Sequence, residues 1–349
     1  TAKLTAADAA ANDWFGRSVA IDGDTIVVGA LLDDDACGTG PAAYMCQSGS
    51  AYVFRTTDGG VSYGQVAKLI AADGSGYDNF GWSVAIDGDT VVIGAYDDDD
   101  GGTDSGSAYV FRTTDGGATY GQVAKLTASD AASSDYFGRS VAIAGSTIVV
   151  GADQYSVFGG GGSGSAYVFH TTDGGATYGQ VAKLTAADAA AIDYFGWSVA
   201  VDGDTVVIGA YYDDDAGSGS GSAYVFRTSD GGASYDQVAK LTAADAAAND
   251  FFGGSVAIDG ATIVVGAAQY NNGGSGAVYV FRTTDGGATH GQVAKLTASD
   301  AAAGDRFGLR VAIDGSTIVV GADKDDDGGT ESGSAYVFED ESGWWDYFS

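Results

Sequence analysis

The chain has 349 residues, with 15 lysines and arginines against 47 acidic residues and a formal net charge of −32 at pH 7. A charge of this size excludes nucleic acid as a natural partner and disfavours anionic membrane surfaces, because both would repel the chain. All but three of the acids are aspartates, which suit turns and metal-binding loops, with adaptation to a saline medium as an alternative explanation.

A block of about 57 residues recurs six times along the chain, as expected of stacked copies of one supersecondary unit. Each copy predicts four strands in the order SVAI, TIVVGA or TVVIGA, SAYVF and QVAKLTA, with an Asp-Gly turn joining the first two in most copies. A Phe-Gly pair opens the first strand of each copy, at Phe15, Phe80, Phe137, Phe195, Phe252 and Phe307.

Four antiparallel strands per copy and six copies predict an all-β fold, a six-bladed β-propeller formed as one domain by residues 1–349. The opening segment Ala2–Ala6 has a fourth-strand sequence with no blade before it, and the last copy stops after its third strand. We therefore expect the N-terminal strand to close the ring by pairing with that third strand. A divergent aromatic tail, residues 339–349, packs over the seam, docks on a partner, or is a truncated fourth strand.

The Phe-Gly and VVGA elements of each copy resemble the FG-GAP repeat of integrin α-subunit-type propellers, over essentially the whole chain. Integrin propellers have seven blades, so six copies are a departure from that pattern. The sequence TTDGGATY resembles the Asp-box, which implies a structural hairpin clasp remote from any active site. Its copies lie at Thr56–Tyr63, Thr113–Tyr120, Thr171–Tyr178, Thr228–Tyr235 and Thr283–His290.

The loop between the second and third strands is acidic in most copies. In the sixth copy Asp323, Asp325, Asp327 and Glu331 follow a DxDxDGxxE spacing, which places oxygen ligands around a glycine turn as Ca²⁺ requires. The second copy retains a partial set. The pattern resembles the calcium loops of integrin propellers, which lie instead between the first two strands. The partial set of the second copy consists of Asp98, Asp100 and Asp104. For both copies the alternative is a solvated acidic loop tip.

A second set of aspartates precedes each Phe-Gly pair, and in a four-stranded blade both acidic loops emerge on one face. Such crowding is destabilising unless hydrogen bonds or cations offset it, and loop capping is the favoured role of this set. The fourth strand of each copy carries one lysine, interpreted as a charge that protects the outer edge. The aspartates are Asp8 and Asp13, Asp73 and Asp78, Asp130 and Asp135, Asp188 and Asp193, Asp245 and Asp250, and Asp300 and Asp305; the lysines are Lys3, Lys68, Lys125, Lys183, Lys240 and Lys295.

Two cysteines, Cys37 and Cys46, lie in the enlarged loop of the first copy with eight residues between them. A disulfide between them would close a small ring and indicate an oxidising compartment, hence an extracellular or cell-surface protein. Two free thiols are the alternative.

These features predict an extracellular adhesion or structural interaction module, stabilised by Ca²⁺ and without catalysis. Its acidic loop face would bind a protein or glycan, or a second copy of the chain, with no nucleic acid and no membrane insertion. A glycan-binding, lectin-like propeller is the alternative. A sialidase-like glycoside hydrolase is less favoured, because no catalytic set of residues breaks the regularity of the repeat.

Overall fold

The computed structural model describes residues 2–34, 47–155, 161–269 and 273–339, and all of its regular secondary structure is β. The strands form six antiparallel sheets, the blades of a six-bladed β-propeller, as the sequence predicts. No helix in these ranges is long and apolar enough to cross a bilayer.

The blades follow the sequence copies, and their strands pair in chain order. Blade 1 comprises β1 (Phe15–Asp22), β2 (Thr25–Ala30), β3 (Ser50–Arg55) and β4 (Gly64–Leu69). Blade 2 comprises β5 (Ser83–Asp87), β6 (Thr90–Ala95), β7 (Ser107–Arg112) and β8 (Gly121–Leu126). Blade 3 comprises β9 (Ser140–Ala144), β10 (Thr147–Ala152), β11 (Ser165–His170) and β12 (Gly179–Leu184).

The other three blades repeat this order. Blade 4 comprises β13 (Phe195–Asp202), β14 (Thr205–Ala210), β15 (Ser222–Arg227) and β16 (Asp236–Leu241). Blade 5 comprises β17 (Phe252–Asp259), β18 (Thr262–Ala267), β19 (Ala277–Arg282) and β20 (Gly291–Leu296). Blade 6 comprises β21 (Arg310–Asp314), β22 (Thr317–Ala322) and β23 (Ser334–Glu339).

The chain divides into two compact units. The first contains residues 1–155 and 167–183, and therefore blades 1 and 2 and most of blade 3. The second contains residues 156–166 and 184–349, with blades 4 to 6 and the start of β11.

Within each unit, the apolar cores lie between consecutive blades. In the first unit, Val53 of blade 1 packs with Phe80, Ile93 and Tyr109 of blade 2. The ring of Phe80 meets that of Tyr109 edge-on, with ring centroids 5.4 Å apart. Burying such a side chain contributes about 1.5–3 kcal/mol, so each blade obtains much of its stability from its neighbour.

Glycine is required where consecutive blades meet. A Cβ on Gly94, at the end of β6, would overlap the carbonyl oxygen of Gly138 in the next Phe-Gly pair. Gly138 itself has a φ of 95°, which side-chain-bearing residues rarely adopt. The Phe-Gly and VVGA elements thus form the two sides of one close backbone contact.

Blade 6 differs from the other five because its sheet has three strands within the described residues. The segment Ala2–Ala6, expected to close the ring, is in no strand, so the pairing with β23 stays a prediction. The predicted disulfide between Cys37 and Cys46 lies outside the described residues, as does the tail beyond Glu339.

Replacing Gly94 with alanine should destabilise the protein, since the new methyl group overlaps backbone that cannot move aside. We expect a loss of about 1–3 kcal/mol or more, measured by denaturant unfolding. Gly121→Ala is the matched control, because Gly121 begins β8 and a Cβ there meets no atom within 4 Å. Equal losses in the two variants would contradict a steric role for Gly94.

Candidate functional site

Both acidic loops of blade 4 converge on one point. Asp188 comes from the loop that precedes the blade, and Asp213 and Asp215 come from the loop between β14 and β15. One carboxylate oxygen of each lies within 4.8 Å of the other two. The sequence-based expectation that the two acidic sets share one surface is therefore confirmed for this blade.

The ammonium group of Lys240 lies among these three carboxylates. Its Nζ is 2.7 Å from Asp188 Oδ2 and 3.0 Å from Asp213 Oδ2, and it also pairs with Asp215. Lys240 reaches this point because it stands directly across from Tyr224 in the β15–β16 pairing. The Tyr224 hydroxyl donates to Asp213 Oδ2 at 2.7 Å and approaches Asp188 Oδ1 at 3.0 Å.

The three carboxylates change the pKa of the lysine, and the lysine changes that of Asp188. Burial works to lower the pKa of Lys240, but hydrogen bonds to Asp188 and Asp215 outweigh it, so the pKa is raised. The pKa of Asp188 is lowered, since the bonds from Lys240 and Tyr224 exceed the opposing effect of its burial. The ammonium therefore stays charged and the carboxylates neutralise it.

The same arrangement recurs around the chain. In blade 2, Lys125 Nζ lies 2.8 Å from Asp73, 3.0 Å from Asp98 and 2.5 Å from Asp100. In blade 1, Lys68 contacts Asp8 at 2.7 Å and Asp33 at 3.0 Å. Blades 3 and 5 keep a simpler pair, Lys183 with Asp130 and Lys295 with Asp245, each at 2.6 Å. The fourth-strand lysines thus serve as counter-ions, which the edge-protection interpretation missed.

Blade 6 has the carboxylates without a lysine. Oxygens of Asp300, Asp325 and Asp327 lie within 4.8 Å of one another. The Tyr336 hydroxyl is 2.9 Å from Asp300 Oδ1 and 2.5 Å from Asp325 Oδ2, as in blade 4. Repulsion from Asp325, followed by the influence of Asp300, raises the pKa of Asp327. Within the described ranges, no lysine or arginine contacts this cluster.

The residues predicted to bind calcium are only partly brought together. In blade 6, Asp325 and Asp327 join Asp300, which the spacing motif did not include. Asp323 instead lies 3.7 Å from Arg306 Nη1, and Glu331 pairs with Lys324 at 2.5 Å.

The partial set in blade 2 also separates. Asp98 and Asp100 bind Lys125, whereas the backbone nitrogen of Asp104 donates to Asp99 Oδ1 at 2.8 Å. The carboxylate clusters combine residues from two loops, and the calcium-binding role predicted from the linear spacing stays a prediction.

The second aspartate of each pair before Phe-Gly caps its own loop, as expected. Asp78 Oδ2 accepts a hydrogen bond from the backbone nitrogen of Ser75 at 2.6 Å, and Asp193 Oδ2 accepts one from Ala190 at 2.7 Å. Burial, followed by the nearby charges of the acidic loop, raises the pKa of Asp78 to about 7 and that of Asp193 to about 6.

The TTDGGATY hairpins are held by local hydrogen bonds. In the first, Asp58 accepts from the Thr56 hydroxyl at 2.7 Å and from the backbone nitrogen of Ser62 at 2.9 Å. The Ser62 hydroxyl donates to its other oxygen at 2.6 Å. These bonds lower the pKa of Asp58 to about 2. The aspartate is therefore engaged within its own turn, consistent with a structural clasp.

Stability should fall as the pH rises from about 4 to 7. The folded chain holds protons on Asp78 and Asp193 more tightly than the unfolded chain does, so raising the pH through their folded pKa values favours unfolding. We expect a change on the order of 2 kcal/mol, measured by denaturant unfolding at each pH.

The double variant Asp78→Asn, Asp193→Asn should flatten this dependence. It will not abolish it, because burial also raises the pKa of Asp97 and of Asp153 to about 6. An unchanged slope in the double variant would show that these two carboxyl groups do not carry the effect.

A search of curated proteins finds no match. Among solved structures, Sqt1 of Saccharomyces cerevisiae is similar, with 10% sequence identity, a TM-score of 0.49, and coverage of 95% of this chain and 84% of that one. The FG-GAP repeat model matches six segments, at residues 1–54, 63–111, 120–169, 178–226, 235–281 and 290–338. The chain therefore belongs to the FG-GAP repeat family, whose propellers are a type of protein-interaction module.

Proposed function

We propose that the chain is an extracellular or surface-displayed adhesion or structural interaction module without a catalytic role, and that its loop face binds a cationic group of a partner. In each unit, the loop face is the surface formed by the β2–β3 loop or its equivalents in the blades of that unit, with the loops that precede those blades. One observation carries the proposal. In blades 2 and 4 three carboxylates surround a single ammonium, so the face keeps an excess of negative charge.

Exposed aspartates on the tips of these loops add to that charge. Asp99, Asp214 and Asp326 occupy equivalent places in blades 2, 4 and 6, and all three are exposed. A face of one sign raises the encounter rate with partners of the opposite sign, and the effect weakens with added salt. A lysine- or arginine-rich protein surface, including one on a second copy of the chain, has the chemistry that fits.

Neutralising the three loop tips should weaken binding to a lysine-rich peptide. The variant Asp99→Asn, Asp214→Asn, Asp326→Asn keeps the oxygens that accept local backbone hydrogen bonds. We expect a several-fold loss of affinity that shrinks as salt is added, measured on a biosensor surface.

The matched control removes the same charge from the turns at the opposite ends of the strands. It is Asp24→Asn, Asp89→Asn, Asp204→Asn, whose side chains are exposed in the β1–β2, β5–β6 and β13–β14 turns. If both triple variants lose affinity equally, net charge rather than the loop face determines binding.

A lectin-like function is the second candidate, and a cleft in blade 2 favours it. The cleft has a volume of about 560 Å³ and is lined by Asp100, Lys125, Ser129 and Asp130, among others. Polar side chains around an open cleft suit sugar hydroxyls. Glycan-array binding that survives chelation and the loop-tip substitutions would favour this function over the adhesion module.

Calcium stabilisation is part of the proposal for acidic clusters that hold no lysine. Carboxylate oxygens from two loops offer the hard ligands that Ca²⁺ takes, and an ammonium at the centre would exclude the ion. Among clusters of three carboxylates, only Asp300, Asp325 and Asp327 of blade 6 hold no ammonium within the described residues.

Removing the lysine from blade 4 should create a calcium-responsive cluster. Lys240→Gln leaves three carboxylates uncompensated, so we expect a loss of about 1–3 kcal/mol in chelator and its recovery in millimolar calcium. Thermal melting and metal counting provide the measurements.

Lys183→Gln in blade 3 is the control, since Lys183 pairs with Asp130 and the described part of its β10–β11 loop brings no second carboxylate to it. This variant should lose stability, and it should bind no more calcium than the wild type does. If neither variant responds to calcium, the clusters do not bind the ion and calcium stabilisation is excluded.

A further inference from the structure

Two neighbouring positions differ between the copies of an otherwise regular repeat. One follows the Phe-Gly pair and the other follows the VVGA or VIGA element, and their side chains meet in blades 2, 3 and 4. The strands around them are nearly identical, so these two positions change without loss of the fold. In blades 1 to 6 the pairs are Arg17 and Leu31, Trp82 and Tyr96, Arg139 and Asp153, Trp197 and Tyr211, Gly254 and Ala268, and Leu309 and Asp323.

In the first unit, the arginine of blade 3 lies among aromatic rings that come from the neighbouring positions. Arg139 Cζ is 5.2 Å from the ring centre of Trp82 and 5.0 Å from that of Tyr96. The ring centre of Tyr136 is 5.9 Å from the same atom. These are cation–π distances. The rings thus form a cation site, and the chain occupies it with its own guanidinium.

Two carboxylates accompany this arginine. Asp153 is fully buried, and one of its oxygens lies 3.9 Å from Arg139 Nε. Burial raises the pKa of Asp97 to about 6, and the charge of Arg139 opposes that rise. A guanidinium carries N–H donors as well as charge, so a site that includes carboxylates suits it.

The second unit repeats these rings without the arginine. The ring centres of Trp197 and Tyr211 are 4.6 Å apart, as are those of the equivalent pair in blade 2. Tyr211 and Phe251 have ring centres 5.9 Å apart, again the value of the equivalent pair. Gly254 stands at the place of Arg139 and brings no side chain to the rings. The rings therefore keep the spacing that they have around a cation, although this position provides none.

The backbone at Gly254 does not require glycine. Its nitrogen donates to the carbonyl oxygen of Phe251 at 3.2 Å, and Arg139 makes the equivalent bond to Tyr136 at 3.1 Å. A Cβ on Gly254 would meet only that carbonyl oxygen within 4 Å, at 3.3 Å. The glycine thus leaves open the place where a side chain begins in blade 3.

Both carboxylates of the first-unit site are replaced as well. Ala268 takes the place of the buried aspartate, and Tyr212 takes the place of Asp97. The ring centre of Tyr212 lies 5.6 Å from that of Tyr211 and 5.5 Å from that of Phe251, so it adds a fourth ring. Rings in place of these carboxylates suit a cation that has no N–H donors to satisfy, and a quaternary ammonium is such a cation.

We propose that the second unit binds a quaternary ammonium group on four aromatic rings beside Gly254. The rings are those of Trp197, Tyr211, Tyr212 and Phe251. Trp197 and Tyr212 are partly exposed, so the group can reach the rings from solvent. The exposed acidic tip of the β14–β15 loop attracts cations towards them. The site goes beyond the proposed loop-face function, which depends on exposed aspartates and not on rings.

Choline is the probe, titrated into the full chain by calorimetry. It should bind at least about ten-fold more tightly than ethanolamine, whose ammonium has N–H donors, and than the neutral alcohol in which carbon replaces the nitrogen of choline. Equal affinity for the neutral alcohol would overturn the proposal, because cation–π attraction would not hold the ligand. A peptide with one trimethyllysine presents the same group on a protein, and the tighter of the two ligands identifies the source.

Gly254→Arg should abolish choline binding, because the new guanidinium would occupy the rings as Arg139 does in the first unit. The variant should fold with an unchanged or higher melting temperature, since the same turn carries Arg139. Gly254→Ala is the matched control, which leaves the rings accessible and should keep choline binding. Choline binding that survives Gly254→Arg would overturn the placement of the site.

Tyr212→Asp tests why the site selects a quaternary ammonium. It restores a carboxylate of the first-unit site, so the preference for choline over ethanolamine should fall several-fold. An unchanged preference would overturn the role of the fourth ring in selection. Choline and the lysine-rich peptide are measured separately, so a chain that binds only one of them supports one proposal and overturns the other.

Discussion

The neutralisation of clustered carboxylates is the constraint on which the loop face depends. Three aspartates in one place are unfavourable in the absence of a cation, and blades 2, 4 and 6 each bring three together. The chain solves it with one lysine per fourth strand, positioned by pairing across from a tyrosine. The outermost strand of a blade is thereby tied to two loops, which hydrogen bonds between strands alone would not achieve.

This constraint acts together with the close contact between blades. The glycines of Phe-Gly and VVGA let consecutive backbones approach, and the phenylalanine fills the space between two sheets. Each of these blades therefore packs its core against a neighbour, and the lysine of its own fourth strand offsets part of the charge on its acidic loops. Blade 6, which has three strands within the described residues, still has a packed inner face, but no lysine or arginine of those residues neutralises its acidic cluster.

The fold was predictable from the sequence because the same pattern of strands and turns occurs in six copies. The Asp-Gly turns, the β-branched runs and the period-two aromatics each define a strand locally, and the copy number gives the blade number. The capping role of Asp78 and its equivalents was predictable for the same reason, since it depends on neighbours three residues away.

The clusters of aspartates around a lysine could not be predicted from the sequence in this way. Asp188 and Asp213 are far apart in sequence, and their meeting with Lys240 depends on strand register and side-chain reach. The spacing motif of blade 6 did not include Asp300, and its alternate residues have different neighbours: Asp323 lies near Arg306 and Asp325 near Tyr336. One signal was available, the lysine at the same place in every copy, including Lys3 before the first blade.

The differences between blades give the loop face its pattern of charge. In blades 3 and 5 the fourth-strand lysine pairs with one aspartate, and the pair is neutral. In blades 2 and 4 a lysine meets three, which leaves two negative charges uncompensated at each cluster. In blade 1 a lysine meets two aspartates, which leaves one negative charge uncompensated. The excess charge of each cluster therefore follows from how many aspartates its two loops bring to one lysine.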